Sequence, residues 1–308
     1  MMRDRFPEVY GLGQCSLDYI GKIKSYPPVD SKCEFTGLVV QGGGPVATAL
    51  AALSRWGIPC TFAGVIGDDA FGKQIWTSLE TEGIDLQGLL VRNGLESQFA
   101  FIAAEPGLGR RTIFWQRPTG PPPAPEELNS DLIRRAKVFH TDGLFPEASL
   151  AAAKAARDAG VPVVVDAGSL REGMLDLARL SDYFIASSAF TRSLTGKDDP
   201  VAACRKMAAM CPGLAGVTLG KEGYLALDRG RLIRRPAYPV AAVDTTGCGD
   251  VFHAGFIYGL LKGWTTDQSL DWGAWAASRV SLKLGGRAGI PPLPGWVEKQ
   301  EQKQMVSK

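Results

Sequence analysis

Histidine is nearly absent from this 308-residue chain, which holds two in all. Its six cysteines, Cys15, Cys33, Cys60, Cys204, Cys211 and Cys248, include no Cys-x-x-Cys pair. That scarcity argues against a Cys/His zinc centre, and cysteines scattered in this way are expected as reduced thiols. No apolar run approaches the roughly 20 residues that cross a bilayer. The first residues, Met1 to Pro7, lack the apolar core of a secretion signal, so a cytoplasmic protein without a membrane partner is expected. Charge of one sign is missing too: 34 Lys and Arg against 32 Asp and Glu leave a formal net charge of +2, which makes no electrostatic case for nucleic acid. Internal repeats are absent, and low complexity is confined to the proline run Pro118 to Pro125 and the polar tail from Gln300.

What the chain does contain is an alternation of short apolar strands with helical segments. Val9 to Gly13 and Thr61 to Ile66 read as strands, and so do Ala136 to Thr141, Val161 to Asp166, Tyr183 to Ala186 and Gly216 to Leu219. Helices are expected over Val46 to Trp56, Ala70 to Glu82 and Ala148 to Ala159. Each is followed by a glycine suited to a left-handed C-terminal position: Gly57, Gly83 and Gly160. Long helices over Asp250 to Leu261 and Thr266 to Leu284 close the pattern. Such alternation implies an α/β fold, a mostly parallel sheet with helices on both faces. Residues 15–41 and 95–117 break it with short β-like runs and no helix, and they are expected to form a small antiparallel sheet beside the main one. Edge strands of the main sheet are the alternative.

Glycine clusters mark the places where a ligand can approach backbone. Asp244-Thr245-Thr246-Gly247-Cys248-Gly249-Asp250 runs directly into an apolar helix, so amides at the positive helix end are available to an anion. Asp250, in the first turn, serves either as a helix-terminal charge or as a proton acceptor beside that anion. Gln41-Gly42-Gly43-Gly44-Pro45 precedes the first long helix, with Pro45 suited to the first turn. Neither cluster reads G-x-G-x-x-G or G-x-x-x-x-G-K-[ST], which demotes a dinucleotide-binding dehydrogenase and a P-loop NTPase.

Together these segments resemble the ribokinase-like (PfkB) family of carbohydrate and nucleoside kinases. The resemblance rests on Gly42 to Leu50 and Asp244 to Asp250, with Val65 to Gly72, Val217 to Gly223 and Gly285 to Pro291 as further landmarks in order. It covers about residues 8 to 297. It implies a three-layer αβα sandwich with a small β-sheet lid: one kinase domain over residues 1–297, lid segments 15–41 and 95–117, and a polar tail over 298–308. It also implies ATP- and Mg²⁺-dependent phosphorylation of a primary hydroxyl of a sugar. Asp250 then corresponds to the general base, and the amides of Gly247, Cys248 and Gly249 to the anion hole. Thr218, Gly220, Lys221, Gly223, Ser187 and Ser278 fall on the nucleotide side, with adenine near Ala274, Ala277 and Ser278. Asp18, Gly42, Gly43, Lys32, Gln98 and Arg117 fall on the sugar side. Asp244, Thr246 and Gly286 resemble a site for a monovalent cation, potassium in the family. Lid sheets of the family pair across a homodimer, so a lid-to-lid dimer is expected.

Three departures narrow the resemblance. Ala47 stands where ribokinase has a substrate-binding asparagine, which argues against free ribose. The family's Asn-x-x-Glu motif, tied to magnesium and phosphate, aligns with Ser187-Ser188-Ala189-Phe190, where the glutamate is missing. Cys248 replaces the usual alanine; it reads as a small filler, although a thiol at a helix N-terminus is also a candidate for a lowered pKa. Gly44-Pro45, Val251-Phe252-His253 and Gly286 to Pro291 are closest in style to the branch containing sulfofructose kinase, and Arg110, Arg111 and Arg117 suit an anionic sugar. A nucleoside kinase and a non-catalytic nucleotide or sugar sensor are the alternative functions.

Overall fold

The structure, a computed structural model, describes residues 6–106, 110–294 and 297; the expected tail, 298–308, lies outside them. From the N-terminus the elements are β1 (Val9–Leu12), β2 (Ser16–Lys22), β3 (Thr36–Gly43), α1 (Pro45–Arg55), β4 (Cys60–Gly67), α2 (Ala70–Thr81), β5 (Asp85–Arg92), β6 (Phe99–Glu105) and β7 (Arg110–Gln116). There follow α3 (Ser130–Arg135), β8 (Val138–Thr141), α4 (Pro146–Asp158), β9 (Val163–Ala167), α5 (Met174–Leu180), β10 (Tyr183–Ser187), α6 (Ser188–Thr195), α7 (Pro200–Ala208) and β11 (Leu214–Thr218). A hairpin, β12 (Tyr224–Asp228) and β13 (Arg231–Arg235), precedes α8 (Cys248–Leu261) and α9 (Thr266–Val280).

Among the described residues, nine strands form the main sheet in the order β13-β12-β11-β10-β9-β8-β1-β4-β5. Strands β5 to β11 along that row pair in parallel, and the β12–β13 hairpin is added antiparallel at one edge. Successive side chains of a strand point to opposite faces, and the core divides accordingly. Val9, Val164 and Ile185 pack with α1, α8 and α9 on one face. Their neighbours Tyr10, Val163, Val165 and Phe184 pack with α4 to α7 on the other. Helix α8 is buried from Val251 to Gly259, as expected for a helix that is apolar all round. It crosses α9 so closely that a Cβ on Gly255 would lie 2.6 Å from the Gly273 Cα.

The sequence-based helix starts and stops largely hold. Pro45 opens α1, Asp69 caps α2 by accepting from the Gly72 N–H at 2.7 Å, and Gly57, Gly83 and Gly160 all take positive φ. Helix α9 is shorter than expected, ending at Val280 rather than at Leu284.

The small sheet stands apart from the main one, in the order β3-β2-β6-β7. Pairs β2–β3 and β6–β7 are antiparallel, but the central pair β2–β6 is parallel, which corrects the expected all-antiparallel lid. The reason is topological. β2 follows β1 and β6 follows β5, and both of those leave the parallel main sheet at the same end. Ile20, Ala100 and Ile102 of the lid close on Leu284 of the body.

Candidate active site

The order in which strands are added to the main sheet switches sides at β1, with all strand directions there parallel. β4 and β5 lie to one side, and β8 onward lies to the other. In open α/β sheets the crevice beyond the carboxyl ends of the strands at such a point is the ligand site. Asp142, just after β8, spans this crevice, its carboxylate accepting from the Gln14 N–H after β1 at 3.0 Å and from the Leu144 N–H at 3.0 Å.

The N-terminus of α8 points into the same crevice. Gly247 is its N-cap, at φ 76°, a left-handed conformation open to glycine, and no side chain caps the helix. First-turn amides have no partner within a helix, so they are left for a ligand. A Cβ on Gly249 would meet nothing within 4 Å, so its backbone faces open space. On its other side the loop is wedged against the body: a Cβ on Gly247 would lie 2.5 Å from the Gly286 Cα. Asp244 ties the two loops together. It accepts from the Thr246 N–H (2.9 Å) and hydroxyl (2.8 Å) on one carboxylate oxygen and from the Gly285 N–H (2.9 Å) on the other. Both of its oxygens are therefore engaged in holding the loop.

Asp250 is half-buried in the first turn, and its carboxylate accepts no hydrogen bond among the described residues. Burial pushes its pKa well above the ordinary carboxylate value. Asp166, Asp18 and Asp142 push the same way, and the Arg111 guanidinium opposes them. The Asp142 carboxyl is itself raised to about 7, chiefly by burial. The Cys248 thiol corrects the thought of a helix-end thiolate: desolvation raises it to about 12, and Arg111 offsets only part of this. All six cysteines are free, as expected.

On the lid side, Asp18 is buried and its carboxylate accepts from the Ser16 hydroxyl at 2.6 Å. A Cβ on Gly43 would collide with that carboxylate. A Cβ on Gly42 would lie 2.7 Å from Nη1 of the buried Arg287. Gln98 keeps a side-chain oxygen buried without a hydrogen-bond partner. From sequence Arg111 is one of three arginines suited to an anionic sugar, with no contact to the loop before α8 expected of it. By register it shares a sheet face with Asp18, through the Asp18–Ala100 and Ala104–Arg111 pairs, and it donates to the Thr245 hydroxyl at 2.8 Å. A lid strand thus touches the loop before α8. Arg117 is exposed and stacks on Trp115, 4.9 Å from the ring centroid. Lys32 is exposed between β2 and β3 and makes no hydrogen bond or ion pair among the described residues.

Of the residues expected on the nucleotide side, Ser187 ends β10, Thr218 ends β11, Gly220, Lys221 and Gly223 follow β11, and Ser278 lies on α9. Ser187 pairs in register with Thr218; it caps α6 by accepting from the Phe190 N–H at 3.0 Å and donates to the Gly168 carbonyl. Ser187, at the first position of the expected Asn-x-x-Glu motif, therefore does local structural work, and Phe190, at the glutamate position, is buried in the core. Gly220, at φ 58° with open space around it, begins a one-turn 3-10 helix (Gly220–Glu222) that exposes Lys221. A Cβ on Gly223 would strike the Arg235 carbonyl. Ser278 of α9 donates to the Trp275 carbonyl at 2.7 Å, with Ala274 and Ala277 half-buried beside the core. Among the described residues no three His, Cys, Asp or Glu side chains gather as a metal cage.

Sequence reasoning missed Asp142 and Asp166. Their signal was an apolar strand ending in aspartate, the place where an α/β sheet presents ligand-facing groups.

An α/β body with an uncapped helix N-terminus beside an unpaired carboxylate, under a β-sheet lid, defines a phosphate-handling enzyme of the kinase type. The family model described as pfkB family carbohydrate kinase matches residues 8–292, and the chain belongs to that family. It is 31% identical to fructokinase-1 of Oryza sativa, covering 96% of this chain and 98% of that protein. Identity to the ATP-dependent ribose-1-phosphate kinase of Halopiger xanaduensis is 25%, over 93% and 94% of the two chains. The structure of Arabidopsis thaliana ribokinase complexed with ribose and ATP superposes with a TM-score of 0.80 at 24% identity, covering 97% of this chain and 98% of that one. The protein is a sugar kinase of the ribokinase-like fold, and as such it uses ATP.

Proposed function

We propose that this chain transfers the γ-phosphoryl group of ATP to a primary hydroxyl of a sugar, with Asp250 as general base and the Gly247, Cys248 and Gly249 amides as anion hole. The observation that carries the reading is the Asp250 carboxylate. It is the unpartnered acceptor in the first turn of an uncapped helix, ringed by buried aspartates. ATP with Mg²⁺ would supply the transferable group and part of its charge neutralisation, and Mg²⁺ needs few protein ligands. Asp250 takes the hydroxyl proton as the new O–P bond forms and the bond to the ADP oxygen breaks. A base raised toward the working pH is the stronger acceptor for that proton. Amides already aimed at the phosphoryl oxygens need no reorganisation as charge develops.

The remaining assignments extend the same reading. Asp18 accepts from sugar hydroxyls, with Gly42, Gly43, Gln98, Lys32 and Arg117 around it. Thr218, Gly220, Lys221, Gly223, Ser187 and Ser278 border the nucleotide. Asp244, Thr246 and Gly286 shape a loop that potassium would order. Residues 1–297 act as one domain, and a second copy of the chain covers the outer lid face. There Val40, Tyr19, Phe101 and Phe114 lie in register, and Val40, Phe101 and Phe114 are exposed.

The name of the rice relative makes fructose the first acceptor to test. The test is an ADP-release screen over ketohexoses, ribose, phosphosugars, sulfosugars and ribosides, with and without potassium. Asp250→Asn is expected to lower turnover by a factor of ~10³ with ATP binding retained. ATP binding without ADP release on any alcohol would instead identify a sensor.

A further inference from the structure

The two histidines of the chain, His253 in the second turn of α8 and His140 on β8, stack on each other with ring centroids 5.8 Å apart. His253 is 2% exposed. Its Nδ1 lies 2.8 Å from the Gly249 carbonyl and 3.4 Å from a carboxylate oxygen of Asp166, and its Nε2 lies 3.3 Å from the Ile185 carbonyl. Every polar atom the ring meets is an acceptor. A neutral imidazole has one bare nitrogen, which here would face a carbonyl lone pair in a site without room to turn away. His140 has the opposite surroundings. Its Nδ1 faces the Val164 carbonyl at 3.0 Å, while its Nε2 is buried without a partner, as a bare nitrogen would be. Burial, and the neighbouring His253, hold His140 neutral, with its pKa lowered to about 3.

We propose that His253 is a positioning residue that carries a proton on both ring nitrogens, and that this imidazolium holds the Gly249 carbonyl in place while neutralising Asp166 beside the base. The proposal rests on the reading of Asp250 as the base. Asp166 on β9 is the carboxylate that works hardest against an ionised Asp250. A cation against Asp166 removes that opposition without touching the substrate. Fixing the Gly249 carbonyl also restrains Gly249, whose amide is one of the three of the proposed anion hole, and the peptide that leads into Asp250. The titratable and charged groups around the pair are Asp166 of β9, His140 of β8, Asp142 just after β8, Arg171 just after β9, and Asp250 one turn earlier on α8. From β10 the ring meets the Ile185 carbonyl.

With two histidines in the chain, ¹⁵N-histidine labelling of the full-length protein yields two sets of ring signals, and His253→Asn assigns them. At about pH 7 both nitrogens of His253 are expected at imidazolium positions, and one nitrogen of His140 at a bare position. His253→Asn keeps a donor for Gly249 but no charge; it is expected to lower kcat roughly tenfold with the ATP KM unchanged and to move the acid limb of kcat/KM to higher pH. His253→Gln serves as the second variant if His253→Asn does not fold. A bare nitrogen on His253 at that pH overturns the proposal, and so does a loss of kcat with the acid limb unmoved, which would mark a purely structural ring. If Asp250→Asn keeps full turnover, the base reading fails, while the labelling still decides the state of His253.

Discussion

At the scale of single residues the site is held by close fits that leave little freedom. Gly43 is needed because any Cβ there would occupy the place of the Asp18 carboxylate. Gly43→Ala is expected to raise the sugar KM at least tenfold while the ATP KM stays put, as steady-state kinetics with each substrate varied will show. In the proposed mechanism Cys248 contributes its amide and its small size, not its thiol. With the thiol raised to about 12, thiolate is scarce at neutral pH. Iodoacetamide should modify exposed Cys33 well before Cys248, as peptide mapping will show, and Cys248→Ala should keep near-normal turnover. The raised Asp250 has its own consequence: a base works when deprotonated, so kcat/KM should fall on the acid side at a pH above the ordinary aspartate value.

At the scale of elements the decisive contact joins strand β7 to the loop before α8. The Arg111 guanidinium bridges from the lid to Thr245 and opposes the rise in the Asp250 pKa. Arg111→Gln removes both effects. Turnover should drop ~10- to 100-fold, and ADP release without sugar should rise relative to sugar phosphorylation as lid closure weakens. Coupled assays with and without acceptor measure that ratio. Some elements were legible in the chain and others were not. The helices α1, α2 and α4 announce themselves through proline, aspartate and glycine at their ends. The β12–β13 hairpin escaped because its turn is Arg229-Gly230, both at positive φ, where Asn-Gly or Asp-Gly is the familiar signal. The parallel β2–β6 pair escaped because strand direction depends on where the preceding strands leave the main sheet, which no local pattern records.

At the scale of the whole molecule, Asp142 links the crevice to stability. Its folded-state pKa of about 7 lies above the ordinary aspartate value of 3.8, so the folded state holds a proton that the unfolded state releases. The sign follows from linkage: this contribution is complete below about pH 3.8 and is lost as pH rises toward 7. Denaturant midpoints measured across that window should show Asp142→Asn lacking this decline, so its deficit against the wild type shrinks as pH increases.

By itself the sequence determined the fold class and the family, and it singled out Asp250, Asp244, Asp18 and the glycine loops as candidates. Those depend on local spacing: apolar periodicity sets the elements, and glycine at a helix entrance sets where an anion can meet backbone. Only the tertiary structure decided which groups surround the candidate base. Asp142, Asp166, His253 and Arg111 come from β8, β9, the second turn of α8 and the lid, and they meet because strand order and lid closure bring them to one crevice. A charge acts through distance and burial, neither of which is a property of a residue's place along the chain.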